Sequence, residues 1–466
     1  MPNIQNRLAA ARDRFLAIYG PGEINTLSAP ARINILGEHV DYVSYLPTAS
    51  LPFGSHEHQM IMLYRPAGDD RVRGASGHAG YEPFEFEFES EFGEKDWEKL
   101  VFNRPAPVPH WSNYVRGAVT FARWKHRESL ARGMNFLIDS TIPPGGGSSS
   151  SSAIVVLAGA AIREVNRIDY DLTDLAWESS QAEWYLGTRG GALDHTAICL
   201  GRRHHVLLMD HHLRTSERLP IPGDPWRWVT FFSHPADKGR DVMLEYNERA
   251  AVSRILIPSL LAMLGEDGDS GETIEHRIEG LPETLTLDQF SRLQPGPFQD
   301  CAAAFPSLIR DRLTVPLRIR DRARHHLAES DRVADAVEIL HHISSSAATT
   351  EMADDSMGQL GELINSSHQS LRDLYDLTNQ EVDQLVDAIS ADPALLLGRR
   401  LMGGGFGGNV LVLCRHENVQ SLIEQVQRLF YHPRRRDAMA EGSIMISTPG
   451  DGLSPVCQTL NNKDQV

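Results

Sequence analysis

The sequence reads as a globular chain of mixed helix and strand, built in two or three domains. Three observations carry that reading. A length of 466 residues offers more surface than one core of ordinary size buries. Residues 134–162 run as a strand, a glycine turn and a buried helix, and the chain turns mostly helical from about residue 221. Near the end, a glycine cluster at 403–408 leads into a further strand, Asn409 to Cys414.

Composition narrows the class of function. Hydrophobic content of 41% and charged content of 23% are ordinary for a soluble protein. The net charge of −17, from 45 basic and 62 acidic residues, disfavours nonspecific nucleic-acid binding. Cys199, Cys301, Cys414 and Cys457 lie far apart with no C-x-x-C, which suits a reduced compartment rather than a disulfide framework. Met1 to Tyr19 reads as an amphipathic helix carrying Arg7, Arg12, Asp13 and Arg14, not as a signal peptide. No apolar run is long enough to cross a membrane. The expectation is a cytoplasmic protein, a monomer or weak homo-oligomer, acting on small molecules rather than on nucleic acid or membrane.

Taken in order, Leu27 to Pro47 reads as strand, turn and second strand. The turn, Gly37-Glu38-His39-Val40-Asp41-Tyr42, holds carboxylates and an imidazole suited to several hydroxyls of a small polar molecule, although a solvated turn would look the same. A helix opens near Trp111 and runs through Phe121. Met134 to Asp139 alternates as a half-buried strand should. Ile142-Pro143-Pro144-Gly145-Gly146-Gly147 and the serines 148–152 follow, ahead of the apolar run Ala153 to Ile162. Glycines let backbone N–H groups approach an anion, the helix N-terminus adds partial positive charge, and serine hydroxyls can donate to phosphate or ligate Mg²⁺. A flexible linker is the rival reading, but a linker would not be clamped between a strand and a buried helix. No G-x-x-x-x-G-K-[ST] occurs, which argues against a P-loop enzyme.

Beyond the loop, a helix over Leu172 to Leu186 carries Glu183, and Gly190-Gly191-Ala192-Leu193-Asp194-His195 places an acid just after two glycines. Asp194 could equally be a helix N-cap. Strands are expected at Arg202–Met209 and Trp228–Phe232, a solvated acidic loop at 265–289, and helices at Leu317–Ala328, Ala334–Ile343, Met357–Leu371 and Glu381–Ile389. Gly403 to Gly408 satisfies G-x-G-x-x-G but precedes a strand, so it is no dinucleotide fingerprint. It could close over a ligand or permit tight backbone packing. The His-His pairs at 204–205, 211–212, 325–326 and 341–342 lack metal-ligand spacing.

Together these stretches resemble the GHMP kinases, and within them the galactokinase family. Arg32-Ile33-Asn34 with Gly37 to Tyr42 is similar to the galactokinase signature, 142–153 to the phosphate-binding second motif, and Leu401 to Gly408 to the third. Trp111 to Gly117, Glu245 to Arg249, Arg322 to His325, Glu329 to Val333 and Gly361 to Leu371 match in family order. The resemblance implies an α+β, two-domain GHMP kinase. Residues 1–220 would form a domain like ribosomal protein S5 domain 2, and 221–466 a ferredoxin-like domain. It implies an ATP- and Mg²⁺-dependent sugar kinase. Asp194 and Arg32 would be catalytic, while Glu38, His39, Asp41, Gly191 and Tyr246 would hold the sugar. Gly145, Gly146, Gly147, Ser149, Ser150 and Trp111 would bind ATP, and Ser151 and Glu183 the metal.

Three departures from the family pattern bear on the substrate. Val43-Ser44-Tyr45 leads straight to Leu46-Pro47, a shorter and bulkier turn than the Asn-Gly-Gly that galactokinases usually carry before their Leu-Pro, His195 stands where glutamine is usual, and Ser148 where leucine is usual. The acceptor implied is therefore the anomeric (C1) hydroxyl of galactose, or that of a uronic acid, arabinose or a substituted galactose. A catalytically silent sugar sensor acting through protein partners is the reading from another class. A mevalonate or homoserine kinase would fit the phosphate loop but not the Glu38-His39-Asp41 cluster.

Overall fold

The computed structural model describes residues 4–88, 96–102, 104, 107–235, 240–266, 273–344, 350–436 and 444–456. A seven-stranded sheet forms the first half. Its order is Ser454–Pro455, Asn25–Asn34, Pro52–Pro66, Met134–Ser140, Arg71–Ser76 and Phe84–Glu87, with Pro449–Gly450 also paired to Pro52–Pro66. Strand pairing thus brings 449–455 back into this sheet, across the boundary expected at 220/221.

The helix Ser150–Val165 packs against helices Ser112–His126 and Leu172–Glu183 and against the sheet. From Ala153 to Val165 every residue except Arg163 and Glu164 is apolar or small, so the helix is hydrophobic on almost every side and lies in the core. Its N-terminus, carrying the serines, is the end left to face a ligand.

The second half holds a four-stranded antiparallel sheet, ordered Gly398–Leu401, Asn409–Arg415, Trp226–Phe232 and Met445–Ser447. Helices Gln380–Ile389 and Val419–Val426 close a core around Val229, Phe231, Val410 and Val412. A separate helical core gathers Leu256, Leu260, Leu287, Phe290 and Ile319.

Several sequence expectations change here. Residues 35–47 form no second strand; the backbone stays irregular until Ala49–Ser50 and Pro52–Pro66. The expected loop at 265–289 instead contains helix Ile274–Glu279, strand Thr284–Leu285 and the start of helix Leu287–Leu293, whose Thr286 and Gln289 form a capping box. Buried Ile278, Leu281, Leu285 and Leu287 anchor it to the core, and 267–272 lie outside the described residues. The helices expected at 317–328 and 334–343 are one, Arg320–Ser344. Cys199, Cys301 and Cys414 are free and buried, and Cys457 lies outside the described residues. Among the described residues, no helix is long and apolar enough to cross a membrane.

Candidate functional site

The glycine loop after strand Met134–Ser140 has a repeating backbone geometry. Gly145, Gly147 and Ser149 adopt φ of +74°, +75° and +60°, with ordinary φ between them. Alternation of this kind turns successive N–H groups toward one concavity, which binds anions. Ser149 caps helix Ser150–Val165 without a side-chain hydrogen bond, so the first-turn N–H groups keep their positive end for a ligand. A Cβ built on Gly145 would meet nothing nearer than 3.8 Å, so this side of the loop is open.

The opposite side is closed. A Cβ on Gly147 would come within 2.9 Å of the Met402 carbonyl oxygen, and one on Gly403 within 2.9 Å of the Gly147 oxygen. Asn409 Nδ2 donates to Ser148 Oγ at 2.7 Å, and a Cβ on Gly146 would sit 3.0 Å from the same nitrogen. The second glycine cluster therefore packs backbone to backbone under the first, the tight-packing use among the two the sequence allowed.

Arg32 binds this loop to the acid. A register shift between Pro30 and Arg32 marks a bulge in strand Asn25–Asn34, a device that re-aims side chains. Arg32 N–H donates to the Ser148 oxygen at 3.2 Å, and Nη1 donates to the Gly147 oxygen at 3.1 Å. Its Nε donates to Asp194 Oδ1 at 2.6 Å. Arg32 is buried, whereas the Asp194 side chain keeps 30% exposure, so the acid is the member of the pair that a solute can reach. Burial pushes the Asp194 carboxyl up, but Arg32, Ser149 and His195 acting together outweigh it and hold the carboxyl below its ordinary value. Asp194 is in the first turn of helix Leu193–Leu200, whose N-cap is Ala192, so the N-cap alternative falls away.

Glu38, His39, Asp41, Gly191 and Tyr246 meet beside Asp194. A Cβ on Gly191 would lie 2.2 Å from Asp41 Oδ2, so glycine is what lets this carboxylate come so close to the backbone before Asp194. Burial, with the Asp194 charge second, pushes the Asp41 carboxyl up to about 6. His39, at φ +59°, sets its ring tilted against Tyr246, with the centroids 5.7 Å apart. Its Nδ1 is 2.6 Å from the Tyr42 hydroxyl. Burial, then the His325 and Arg249 charges, drive its pKa well down and keep the ring neutral. Glu38 is committed to an ion pair with Arg400 and accepts the Gly403 N–H at 3.0 Å through the same oxygen, Oε2.

Glu183 Oε2 accepts from Ser152 Oγ at 2.9 Å and lies 2.9 Å from His195 Nε2, so the serine engaged is the neighbour of Ser151. Ser150 and Ser151 occupy the first turn of the buried helix. Trp111 donates its indole N–H to the Glu82 oxygen at 2.9 Å and packs among Tyr81, Phe84 and Phe136.

Comparison with known proteins falls on the same elements. Residues 113–202 match the GHMP kinases N terminal domain, 348–432 the GHMP kinases C terminal, and 13–49 the galactokinase galactose-binding signature. The chain belongs to the galactokinase family of GHMP kinases. It is 26% identical to the galactokinase of Lactobacillus helveticus over 86% of this chain and 88% of that one. The Lactococcus lactis galactokinase is 27% identical over 91% of each. The crystal structure of Lactococcus lactis galactokinase complexed with galactose superposes with a TM-score of 0.70 at 23% identity, covering 97% of this chain and 100% of the other. A mevalonate kinase shares the fold at a TM-score of 0.52 and 11% identity, over 92% of this chain and 100% of that chain. The two-domain α+β GHMP kinase fold is thereby established, and the chain is a sugar kinase.

The sugar kinase also uses residues that the sequence reading assigned no role. Arg400, on strand Gly398–Leu401, reaches across the molecule to Glu38 and to the Asn34 oxygen at 3.3 Å. Its Nη1 lies 3.6 Å from Glu329 Oε1, and both residues are 0% exposed. Glu329 accepts the Gly37 N–H at 2.9 Å and is paired with Arg332. Burial alone would raise its carboxyl, but the charges of Arg332, His325 and Arg400 bring it down to about 2. Arg254 Nη2 donates to the Gly190 oxygen at 3.1 Å, with its guanidinium over the Tyr42 and Trp184 rings. Arg400→Leu would leave the buried Glu38 carboxylate without its ion-pair partner and Glu329 with Arg332 alone, and is expected to lower folding stability by about 3–5 kcal/mol in urea titration. A loss below about 1 kcal/mol, the range of a surface pair, would contradict this role for Arg400.

Proposed function

We propose that the chain transfers the γ-phosphoryl group of ATP to the anomeric C1 hydroxyl of galactose or a galactose-like sugar, giving the sugar 1-phosphate and ADP. One observation carries the reading: Arg32 touches both the Asp194 carboxylate and the carbonyl of Gly147. Acid and phosphate loop are thus one side chain apart, the separation that in-line transfer from a bound phosphate to a neighbouring hydroxyl requires. Glu38, His39 and Asp41, which lie in the stretch matched by the galactose-binding signature, would hold the remaining hydroxyls with Gly191 and Tyr246.

The donor set suits Mg²⁺ carried in on phosphate. Among the described residues no cluster of three or more His, Cys, Asp or Glu could cage a metal, and Mg²⁺ typically takes only one or two protein ligands beside phosphate and water. Glu183 and Ser151 would serve that role, and the bound Mg-ATP supplies the phosphoryl group and the charge neutralisation. The N–H groups of 145–150 would hold the phosphates, and Trp111 would flank the adenine. Asp194, kept ionised by Arg32, would accept the hydroxyl proton or orient the hydroxyl for attack.

Val43-Ser44-Tyr45 shortens and bulks the turn beside this site, so the acceptor is galactose or a close relative such as a uronic acid or arabinose. ADP release with Mg-ATP is the test, across galactose, N-acetylgalactosamine, galacturonic acid, arabinose, glucose and mannose, with mevalonate as control. Turnover on a galactose-like member is expected, with Asp194→Asn reducing kcat by about 10²- to 10⁴-fold while ATP still binds. Silence on every sugar, with ATP and sugar bound, would overturn the kinase reading in favour of a sensor.

A further inference from the structure

The shortened turn does more than narrow a pocket, because Tyr45 begins a line of buried hydrogen bonds that ends at His39. The Tyr45 hydroxyl is 2.6 Å from His326 Nδ1. On the other edge of that ring, His326 Nε2 is 3.2 Å from Ser253 Oγ. Ser253 Oγ is 3.5 Å from the Tyr375 hydroxyl, which is 3.0 Å from the Tyr42 hydroxyl. The Tyr42 hydroxyl in turn is 2.6 Å from His39 Nδ1. The line crosses four parts of the chain: the turn holding His39, Tyr42 and Tyr45, helix Arg320–Ser344, the helical segment holding Ser253, and the loop holding Tyr375.

When each member between the two ends donates once and accepts once, every contact in the line is used and the line has two senses. In the first, Tyr45 donates to His326 Nδ1, His326 Nε2–H to Ser253, Ser253 to Tyr375, Tyr375 to Tyr42, and Tyr42 to His39 Nδ1. In the second every proton is reversed, and the Tyr45 proton then has no partner among the described residues. A phenol is also a better donor than acceptor, so Tyr45 at the head favours the first sense. Both imidazoles are neutral, since burial drives each pKa well down, so one proton per ring is to be placed. In the first sense His39 carries it on Nε2. That nitrogen is buried beside the Gly403 backbone and has no well-formed hydrogen-bond partner.

We propose that Tyr45 is a positioning residue that, through His326, Ser253, Tyr375 and Tyr42, fixes the His39 proton on Nε2, against the Gly403 backbone, so that the sugar site is built on a single tautomer of His39. The sugar-binding role of His39 rests on the function proposed above; the tautomer does not. The Asn-Gly-Gly turn usual in the family has no hydroxyl to supply, so the device belongs to this chain's own departure.

Two-bond ¹H–¹⁵N correlation on protein labelled at histidine, with His39 assigned by difference from His39→Gln, reads the tautomer directly. The wild type is expected to show Nε2–H, and Tyr45→Phe a mixed or reversed His39 signal; Ser253→Ala, which cuts the line at its middle, gives the same change if Tyr45→Phe folds poorly. An Nδ1–H tautomer in the wild type, or an unchanged His39 in both variants, overturns the proposal whatever the enzyme turns over. On the sugar that is turned over, Tyr45→Phe is expected to raise the sugar KM about three- to tenfold and leave the ATP KM unchanged. In a His39→Gln background the same substitution should add nothing. An additive effect there would show Tyr45 acting by another route and overturn the proposal.

Discussion

A buried guanidinium beside a reachable carboxylate is the constraint on which the site depends. Arg32 cannot stay charged in the interior without partners, and it finds them in Asp194 on one side and the Gly147 carbonyl on the other. Burial works against the Arg32 charge, but Asp194 and Glu38 outweigh it and raise its pKa. That demand locates three separate segments relative to one another: the strand carrying Arg32, the turn before helix Ser150–Val165, and the turn before helix Leu193–Leu200. Removing the charge would release the acid and the glycine loop together. The pair is therefore better understood as setting geometry than as adding stability, since ion pairs taken out of water bring little net free energy.

A second charge cluster does the same work between the halves of the chain. Arg400 comes from the four-stranded sheet, and Glu38 from the turn beside the seven-stranded one. Glu329, from the long helix Arg320–Ser344, holds the Gly37 N–H. The glycine cluster after Arg400 continues the contact, because Gly403 and Gly147 meet without side chains between them. The joint between the halves is therefore backbone packing plus a buried charge network, and both require the two halves to be docked as observed.

Much of this was legible in the sequence. Strand, glycine turn and buried helix at 134–162 were read from alternation and from an apolar run, signals that depend only on local period. The cluster 37–42 and Asp194 stood out because polar residues beside glycines have few structural uses. The pairing of 449–455 with the first sheet was not legible, since two-residue strands carry no period and their partners lie some four hundred positions away. Nor were Arg400 and Glu329, which look like ordinary charged residues until the fold removes them from water. Helix 274–279 and its neighbours were hidden by the acidic stretch before them. The histidine pair 325–326 was weighed only for metal spacing; on a helix both rings are buried, and His326 serves as a hydrogen-bond bridge.

The central claim is that Asp194 and the glycine loop deliver a phosphoryl group to the anomeric hydroxyl. The direct measurement is the ³¹P spectrum of the product formed from Mg-ATP and sugar labelled with ¹³C at C1. The account predicts a sugar phosphate whose ³¹P signal is split by the labelled C1. An unsplit signal coupled to the C6 protons, or inorganic phosphate alone, would contradict it.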